Sequence, residues 1–301
     1  MTHDPLEAIA RQLATTLAMG PGTIALPDRQ SVAALSRRLL TVLFPGCFAP
    51  REAVGPSGIL PLHALEQFAA ELSLLAGNAT AHVAQRDGRD SAAATAAARD
   101  SARELLAELP LVAGLLATDV DAAFNNDPST PDRATIVLSF PCIEALAIQR
   151  FAHRLYRRGV PVLPRMMTEW AHERTGIDIH PGAAIDESFF IDHGTGVVIG
   201  ETSRIGKHCV LYQSVGLVAW NPLARDEHGE LRRGQDNKRH PDLADHVTIY
   251  AGATILGGDT LIGHHSVIGG SVWLTHSVEP YTVVTIKDPE LNIRKRRQPT
   301  S

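Results

Sequence analysis

Histidines beside charged residues recur in three short segments of the last third of the chain. These are 178–181 (Asp-Ile-His-Pro), 192–196 (Asp-His-Gly-Thr-Gly) and 238–241 (Lys-Arg-His-Pro). A carboxylate near an imidazole can fix its tautomer, and the free ring nitrogen then acts as a general base near neutral pH. An unpaired imidazole facing a core is costly, so these histidines are expected at corners or on outer faces. The three segments therefore indicate a site for proton transfer.

The same region carries an apolar residue at intervals of about six. The repeated residues are Ile179, Ile185, Ile191, Ile199, Ile205, Leu211, Leu217, Leu243, Ile249, Ile255, Ile262, Ile268 and Leu274. This period fits neither an amphipathic helix nor a two-sided strand. It is typical of a parallel β-helix, in which each short strand is one side of a triangular coil and the apolar residue points inward. Few enzymatic functions use such a prism, and most of them are acyl transfers.

The β-helix gives an expectation for the two aspartates. Asp178 and Asp192 are fourteen residues apart, which we take as about two coils plus two residues. They are therefore expected on the same side of the prism, two rungs apart. An aspartate and a histidine that meet there would form the base and its orienting carboxylate.

Composition divides the chain into parts. We predict an all-α domain at 1–175, a β-helix domain at 176–287 with an inserted loop at 218–239, and a basic tail at 288–301. Apolar spacing and the positions of Pro and Gly predict helices after Pro5 and over 65–77, 91–107, 141–159 and 165–174, with loops at 45–61 and 125–131. Flat prism faces favour closed symmetric oligomers, and three-fold symmetry suits a triangular prism.

Bulk composition excludes several classes of protein. The net charge of −5 gives no reason to expect a nucleic-acid partner. Cys47, Cys142 and Cys209 are too far apart for a metal-ligand pair and are interpreted as buried free thiols. The first residues lack the pattern of a signal peptide, and no stretch has the length of a membrane span. We expect a cytoplasmic protein without a membrane partner.

The segment 175–202, TGIDIHPGAAIDESFFIDHGTGVVIGET, resembles the signature of bacterial serine O-acetyltransferases, which are hexapeptide-repeat acyltransferases. The resemblance continues through 203–213, 238–241 and 248–257 and covers about 119–287 in all; residues 1–110 match no motif. It implies a left-handed parallel β-helix. It also implies transfer of acetyl from acetyl-CoA to L-serine in a ternary complex, giving O-acetylserine for cysteine synthesis, without a metal.

The resemblance also implies roles for individual residues. His193 matches the general base and Asp178 the carboxylate that orients it. The residues that match substrate-binding positions are Asp192 and Asp127 near the serine ammonium group, and Arg239 and His240 at its carboxylate. Each has a structural alternative: a surface ion pair for the first two, turn formation for Asp192, capping beside Pro128 for Asp127, and a solvated loop end for the basic pair.

The acetyl-CoA groove is matched by small residues in the later coils. These are Ala251, Gly252, Gly257 and Gly269, whose smallness also suits tight corners. In the family a glycine-rich loop with a basic residue usually follows the Gln-Ser-Val stretch. This chain has Gly-Leu-Val-Ala-Trp-Asn-Pro at 216–222 instead, so another acyl donor remains open.

Three other functions remain open for this chain. The same fold could act on another hydroxyl acceptor, such as homoserine or a sugar, or serve as a scaffold. It could also be a zinc-dependent carbonic anhydrase, although we find no pair of histidines at the repeat spacing with a third one coil away.

We expect a homotrimer or a dimer of trimers. Because the sequence ends in Ser301 and not isoleucine, we expect no complex with the next enzyme of cysteine synthesis.

Overall fold

The fold has an N-terminal helical part and a C-terminal prism of short parallel strands. The computed structural model describes residues 26–48, 60–232 and 237–287, together with Glu7, Ile9 and Gln12. The order of helices and then a left-handed parallel β-helix confirms the predicted fold class. Most of the predicted helix after Pro5, and all of the basic tail at 288–301, lie outside the described residues.

Seven α-helices lie in the described ranges that begin at residue 26. They are α1 Arg29–Leu43, α2 Leu62–Arg86, α3 Ser91–Leu105, α4 Leu109–Asn126, α5 Arg133–Ser139, α6 Pro141–Arg157 and α7 Leu163–Thr175, with a 3-10 turn at Leu106–Glu108. Aspartates cap the first turns of α1, α3 and α5 by accepting backbone N–H bonds, and Gly176 ends α7 with a φ of 70°. Sequence analysis did not predict α1, α4 or α5 as separate helices.

Helix α2 is longer than predicted because Gly77 does not end it. A Cβ atom at Gly77 would lie 2.9 Å from Nε of Arg99 and 3.1 Å from Cγ2 of Thr95. The glycine therefore allows α3 to pack closely against α2, and the helix continues to Arg86. The prediction that Gly77 is a stop signal was wrong, since its role is in packing between the helices.

Fourteen strands build the described coils. They are β1 Asp178–Ile179, β2 Ala184–Ile185, β3 Phe190–Ile191, β4 Val198–Ile199, β5 Arg204–Ile205, β6 Val210–Leu211, β7 Gly216–Val218, β8 Asp242–Leu243, β9 Thr248–Ile249, β10 Thr254–Leu256, β11 Leu261–Ile262, β12 Val267–Ile268, β13 Trp273–Leu274 and β14 Val283–Val284. Three parallel sheets form the sides: face A (β1-β4-β7-β10-β13), face B (β2-β5-β8-β11) and face C (β3-β6-β9-β12-β14).

The predicted inward residues form the core of the prism. All thirteen except Ile185, which is half-buried, are buried. On face A, Ile179 pairs with Ile199, and Ile199 with Leu217, one coil apart. These two coils therefore contain twenty and eighteen residues, so Asp178 and Asp192, fourteen residues apart, lie in the same coil. The prediction that they lie two rungs apart on one side was wrong, because six residues make one side and not one coil.

A buried ion pair attaches the helices to the first coil. Arg150 of α6 binds Asp119 of α4 through two contacts of 2.7 Å, and the side chains are 3% and 0% exposed. Arg150 also donates to the backbone oxygens of Ile185 and Asp186, while Asp119 accepts the backbone N–H of Phe189. The pair thus fixes both helices to the strand β2 and to the turn that follows it.

The cysteines are all unpaired thiols. Cys142 and Cys209 are buried, whereas Cys47 is exposed, so its predicted burial was wrong. Burial raises the pKa of both buried thiols to about 12. Among the described helices, no single one is long and apolar enough to cross a membrane; α5 and α6, bent by 77°, meet that criterion only when taken together.

Candidate active site

His193 stands at the corner between face C and face A, which we call the C–A corner (192–197, and 212–215 and 250–253 in later coils). Its backbone is left-handed, with a φ of 57°, and its side chain is 72% exposed. The next residue must be glycine, because a Cβ at Gly194 would lie 2.5 Å from Cδ1 of Ile177. The motif therefore turns the chain tightly and presents the imidazole to solvent.

Two predicted carboxylates lie at the same corner as His193. Oδ1 of Asp192 is 3.7 Å from Nδ1 of His193. Asp127, the residue after α4, accepts bonds from the backbone N–H and the hydroxyl of Ser129 at 2.8 and 2.7 Å. These two bonds lower the pKa of Asp127, and a smaller contribution comes from the nearby charge of His193. Asp127 thus makes the predicted turn contacts and still faces the imidazole.

The predicted role of Asp178, to orient His193, stays a prediction. Asp178 projects from face A with its side chain 24% exposed, and its ion-pair partner is Arg165 at 3.4 Å. Among the described residues, no hydrogen bond joins it to His193, and Asp192 is the carboxylate paired with that imidazole. Asp178 begins the strand of face A, and its backbone N–H donates to the carbonyl of Val197 at the end of the C–A corner.

The predicted basic pair lies at the corner between face A and face B, the A–B corner (200–203 and 238–241). His240 is buried, and its Nδ1 accepts the backbone N–H of Thr202 at 3.1 Å. Burial, followed by the charges of Arg239 and Lys238, lowers the pKa of His240 to about 4. The neutral ring therefore carries its hydrogen on Nε2. Gly200 makes room for the ring, because a Cβ there would lie 1.9 Å from Cδ2 of His240.

Glu201 holds Arg239 at this corner, a role that the sequence analysis missed. The Glu201 carboxylate accepts hydrogen bonds from the Arg239 guanidinium and from the Tyr156 hydroxyl of α6, and it is 10% exposed. Burial acts to raise the pKa of Glu201, but the bonds from Tyr156 and Arg239 outweigh it and lower the pKa. A glutamate directly after the corner residue Gly200 was the available sequence signal.

The acidic and basic groups are on opposite edges of face A. Strand β4 runs from the C–A corner to the A–B corner. From Val197 to Gly200 the chain makes three steps of about 3.3 Å, so the facing ends of the two corners are roughly 10 Å apart. A molecule as small as an amino acid does not span that distance, so one chain brings together His193, Asp192 and Asp127, and separately Arg239 and His240.

The predicted acetyl-CoA residues also divide between the two corners. Ala251 and Gly252 belong to the C–A corner, and Gly269 leads into it from β12. Gly257 lies at the A–B corner, where a Cβ would come 3.8 Å from Cβ of Trp220 in the inserted loop. Gly252 and Gly257 have φ values of 74° and 98°, so tight turning explains both glycines without a ligand.

One group of described side chains has the spacing of metal ligands. Ligand atoms of Glu169, His172 and Asp178 lie within 4.8 Å of one another. Arg165 forms ion pairs with both carboxylates of this group. The positive charge of Arg165 neutralises part of the negative charge of these carboxylates, which weakens their attraction for a metal cation.

Comparisons with known proteins give a consistent result. No protein-family model matches the chain. A Synechococcus elongatus protein named "Serine acetyltransferase, plasmid" is 44% identical over 263 residues, which are 84% of this chain and 79% of the relative. The Bacillus subtilis serine acetyltransferase is 36% identical over 170 residues, 56% of this chain and 72% of its own.

Solved structures show the same similarity. Entamoeba histolytica serine acetyltransferase 1, crystallised with L-cysteine, aligns with a TM-score of 0.69 and 33% identity, covering 93% of this chain and 97% of that one. A Neisseria gonorrhoeae serine acetyltransferase in complex with serine aligns with a TM-score of 0.54 and 22% identity, covering 93% and 88%. The second similarity concerns the fold alone.

Proposed function

The chain belongs to the serine acetyltransferase family, and we propose that it transfers the acetyl group of acetyl-CoA to the hydroxyl of L-serine. The products are O-acetyl-L-serine and free CoA. The observation that carries this proposal is the exposed His193 imidazole, held on a rigid corner beside the carboxylates of Asp192 and Asp127. Because these groups resemble the family signature in order and spacing, they support the activity that the relatives' names describe.

His193 is the proposed general base. A serine hydroxyl is a poor nucleophile at neutral pH, so a base within hydrogen-bond reach must take its proton as the oxygen attacks. The oxygen adds to the thioester carbonyl, and the tetrahedral intermediate collapses with cleavage of the C–S bond. The imidazolium then returns the proton to the departing CoA sulfur. Asp192, 3.7 Å from Nδ1, is the carboxylate of the same chain that can stabilise this imidazolium.

Both charges of the zwitterionic substrate have proposed partners. The carboxylates of Asp127 and Asp192 attract the ammonium group, and the bonds from Ser129 lower the pKa of Asp127 and so favour its charged form. At the other end, the Arg239 guanidinium and Nε2–H of His240 donate to the substrate carboxylate. Glu201 orients the guanidinium through its ion pair. A sugar lacks both charges, so this arrangement favours an amino acid as the acceptor.

A complete site requires two chains in this proposal. Because the acidic and basic groups of one chain are on opposite edges of face A, we infer that the C–A corner of one prism meets the A–B corner of its neighbour. Repetition of this contact around a three-fold axis closes a ring with three identical sites. This supports the predicted homotrimer, and a dimer of trimers repeats the same sites. A molar mass of three or six chains by light scattering is expected, and a monodisperse active monomer would contradict it.

Face A is the proposed surface for the acyl donor. Its outward residues above Asp178 are Val198, Gly216, Thr254 and Trp273 on successive coils. At about 4.8 Å per coil, the distance from Asp178 to Trp273 is about 19 Å, which an extended pantetheine arm spans. Gly216 presents no side chain along this path, and Trp273 is 66% exposed at its end, where adenine can stack. The C–A corner residues Ala251, Gly252 and Gly269 border the same face.

Release of CoA thiol from acetyl-CoA, measured with and without L-serine, tests the function. We expect serine-dependent release that falls by two to four orders of magnitude in His193→Ala, the usual contribution of a general base. Homoserine is the comparison acceptor, since its additional methylene distinguishes the pocket length. Serine-independent release, or equal activity in the variant, would contradict the proposal and favour another acceptor or a scaffold. Location in the cytoplasm stays a prediction for cell fractionation.

A further inference from the structure

A column of aromatic rings lies at the corner between face B and face C, which the proposed reaction does not use. The column contains His208, His246, His265 and Tyr281, with φ values of 57°, 59°, 58° and 59°. Each backbone N–H donates to a carbonyl of the preceding coil, so the four residues occupy equivalent positions of successive coils. The sequence analysis missed this spacing because the inserted loop lengthens the interval between the first two histidines.

The rings of the column are stacked. Centroids are 4.7 Å apart between His208 and His246, 4.5 Å between His246 and His265, and 4.9 Å between His265 and Tyr281. The interplanar angles are 13°, 27° and 23°. All four side chains are on the outside of the prism and exposed. The repeating corner thus concentrates imidazoles on one edge.

A fifth ring, that of His264, approaches the column from the side. Its plane is at 85° to that of His265, and the two Nδ1 atoms are 3.1 Å apart. The left-handed backbone favours histidine, among other residues, at the column positions. That preference does not explain His264, whose backbone is not left-handed. The backbone conformation of the column therefore does not account for the close approach of the His264 and His265 Nδ1 atoms.

We propose that His264 and His265 form a chelating site for a first-row divalent transition metal such as Zn²⁺ or Ni²⁺. Zinc–imidazole bonds are about 2.0–2.1 Å long, so two nitrogens 3.1 Å apart subtend about 98° at the metal. That angle is between the tetrahedral and square-planar values. Imidazole nitrogen suits zinc, nickel and copper, whereas calcium and magnesium prefer oxygen ligands.

The site is independent of the proposed acetyltransferase activity. The groups assigned to serine are at the two edges of face A, whereas the column is at the third corner of the prism. Loss of metal binding is therefore expected to leave turnover unchanged. Glu169 and His172 belong to the group of three described residues with metal-ligand spacing, and they lie on α7, outside the column.

Calorimetric titration of Zn²⁺ into protein stripped with EDTA tests the proposal. The variants are His264→Gln and His265→Asn, because asparagine tolerates the left-handed backbone of His265. The matched control is His228→Ala, which removes an exposed histidine of the inserted loop. We expect one Zn²⁺ per chain in the wild type and the control, and an affinity weaker by at least about tenfold in either variant, since each loses one chelating ligand.

Unchanged melting temperature and acetyl transfer in the variants would show that their fold is intact. Zn²⁺ binding of equal affinity in the wild type and in the double variant His264→Gln/His265→Asn would overturn the proposal, because the metal would then be bound by other residues. Absence of Zn²⁺ binding by the wild type would also overturn it, leaving the two imidazoles as a hydrogen-bonded pair.

Discussion

Mixing two inactive variants tests whether two chains share the site. His193→Ala removes the base from the C–A corner, and Arg239→Ala removes a carboxylate-binding group from the A–B corner. Each homo-oligomer is expected to be nearly inactive because every site lacks one group. If sites form between neighbours, a mixed oligomer contains some sites in which both corners are wild type.

The recovered activity follows from the topology. In a random equimolar mixture, a site takes its C–A corner from an Arg239→Ala chain with a probability of one half, and its A–B corner from a His193→Ala chain with the same probability. About one quarter of the sites are then intact, so the mixture recovers about 25% of wild-type activity. A site contained in one chain recovers nothing, because each chain retains its own lesion.

The assay is serine-dependent CoA release after the two variants are co-refolded or co-expressed with different tags. The control mixes wild type with the double variant His193→Ala/Arg239→Ala. Shared sites again give about 25% of the activity of an all-wild-type sample, whereas sites within one chain give about 50%. Recovery near zero with the single variants and near 50% in the control would refute the two-chain site.

Three further predictions concern stability and the acyl donor. Arg150→Met leaves the Asp119 carboxylate buried and unpaired, so urea denaturation should show a loss of about 3–5 kcal/mol, most of which Arg150→Met/Asp119→Leu recovers; no loss would mean that the pair is not a stabilising anchor. Trp273→Ala should raise KM for acetyl-CoA by about 5- to 150-fold at unchanged kcat, given about 1–3 kcal/mol for stacking on a base; an unchanged KM would place adenine elsewhere. His240 has a folded-state pKa of about 4 and an ordinary value of 6.5. The unfolded chain binds more protons between these values, so stability should fall from pH 6.5 to 4, and His240→Asn should flatten that slope in denaturation midpoints.

The sequence predicted the prism because its signal is local and periodic. A residue such as Ile199 must be apolar because it points into the core of the prism. Its neighbour Gly200 must be small because it lies at a corner, against the ring of His240. The helical part has no such repeat. Gly77 has the same composition signal as a helix stop, and only the approach of Arg99 from α3 shows that it is a packing site.

The candidate site was predicted as a set of residues but not as a geometry. Motif order identified His193, Asp192 and Arg239, yet it contained no information on which edge of face A each occupies. Counting repeats from Asp178 failed because a side and a coil differ threefold in length. The partner of Arg239, Glu201, was missed because its contacts are long-range. Glu201 meets Arg239 and Tyr156 only after the prism and the helices have packed together.

The inserted loop hid the regular spacing of the histidine column from the sequence analysis, and it leaves the pairing of the strands unchanged. It enters between β7 and β8, and the strands on either side keep their register, since Val210 pairs with Thr248 one coil later. The packing of the prism core therefore does not depend on the length of a loop inserted at a corner. This is expected for a solenoid, because each coil contacts only its neighbours. As the chain returns from the loop, it brings Arg239, the last residue of the loop, and the following His240 to the A–B corner. A change in loop length can thus alter the basic part of the site while the base at His193 stays fixed by its glycine corner.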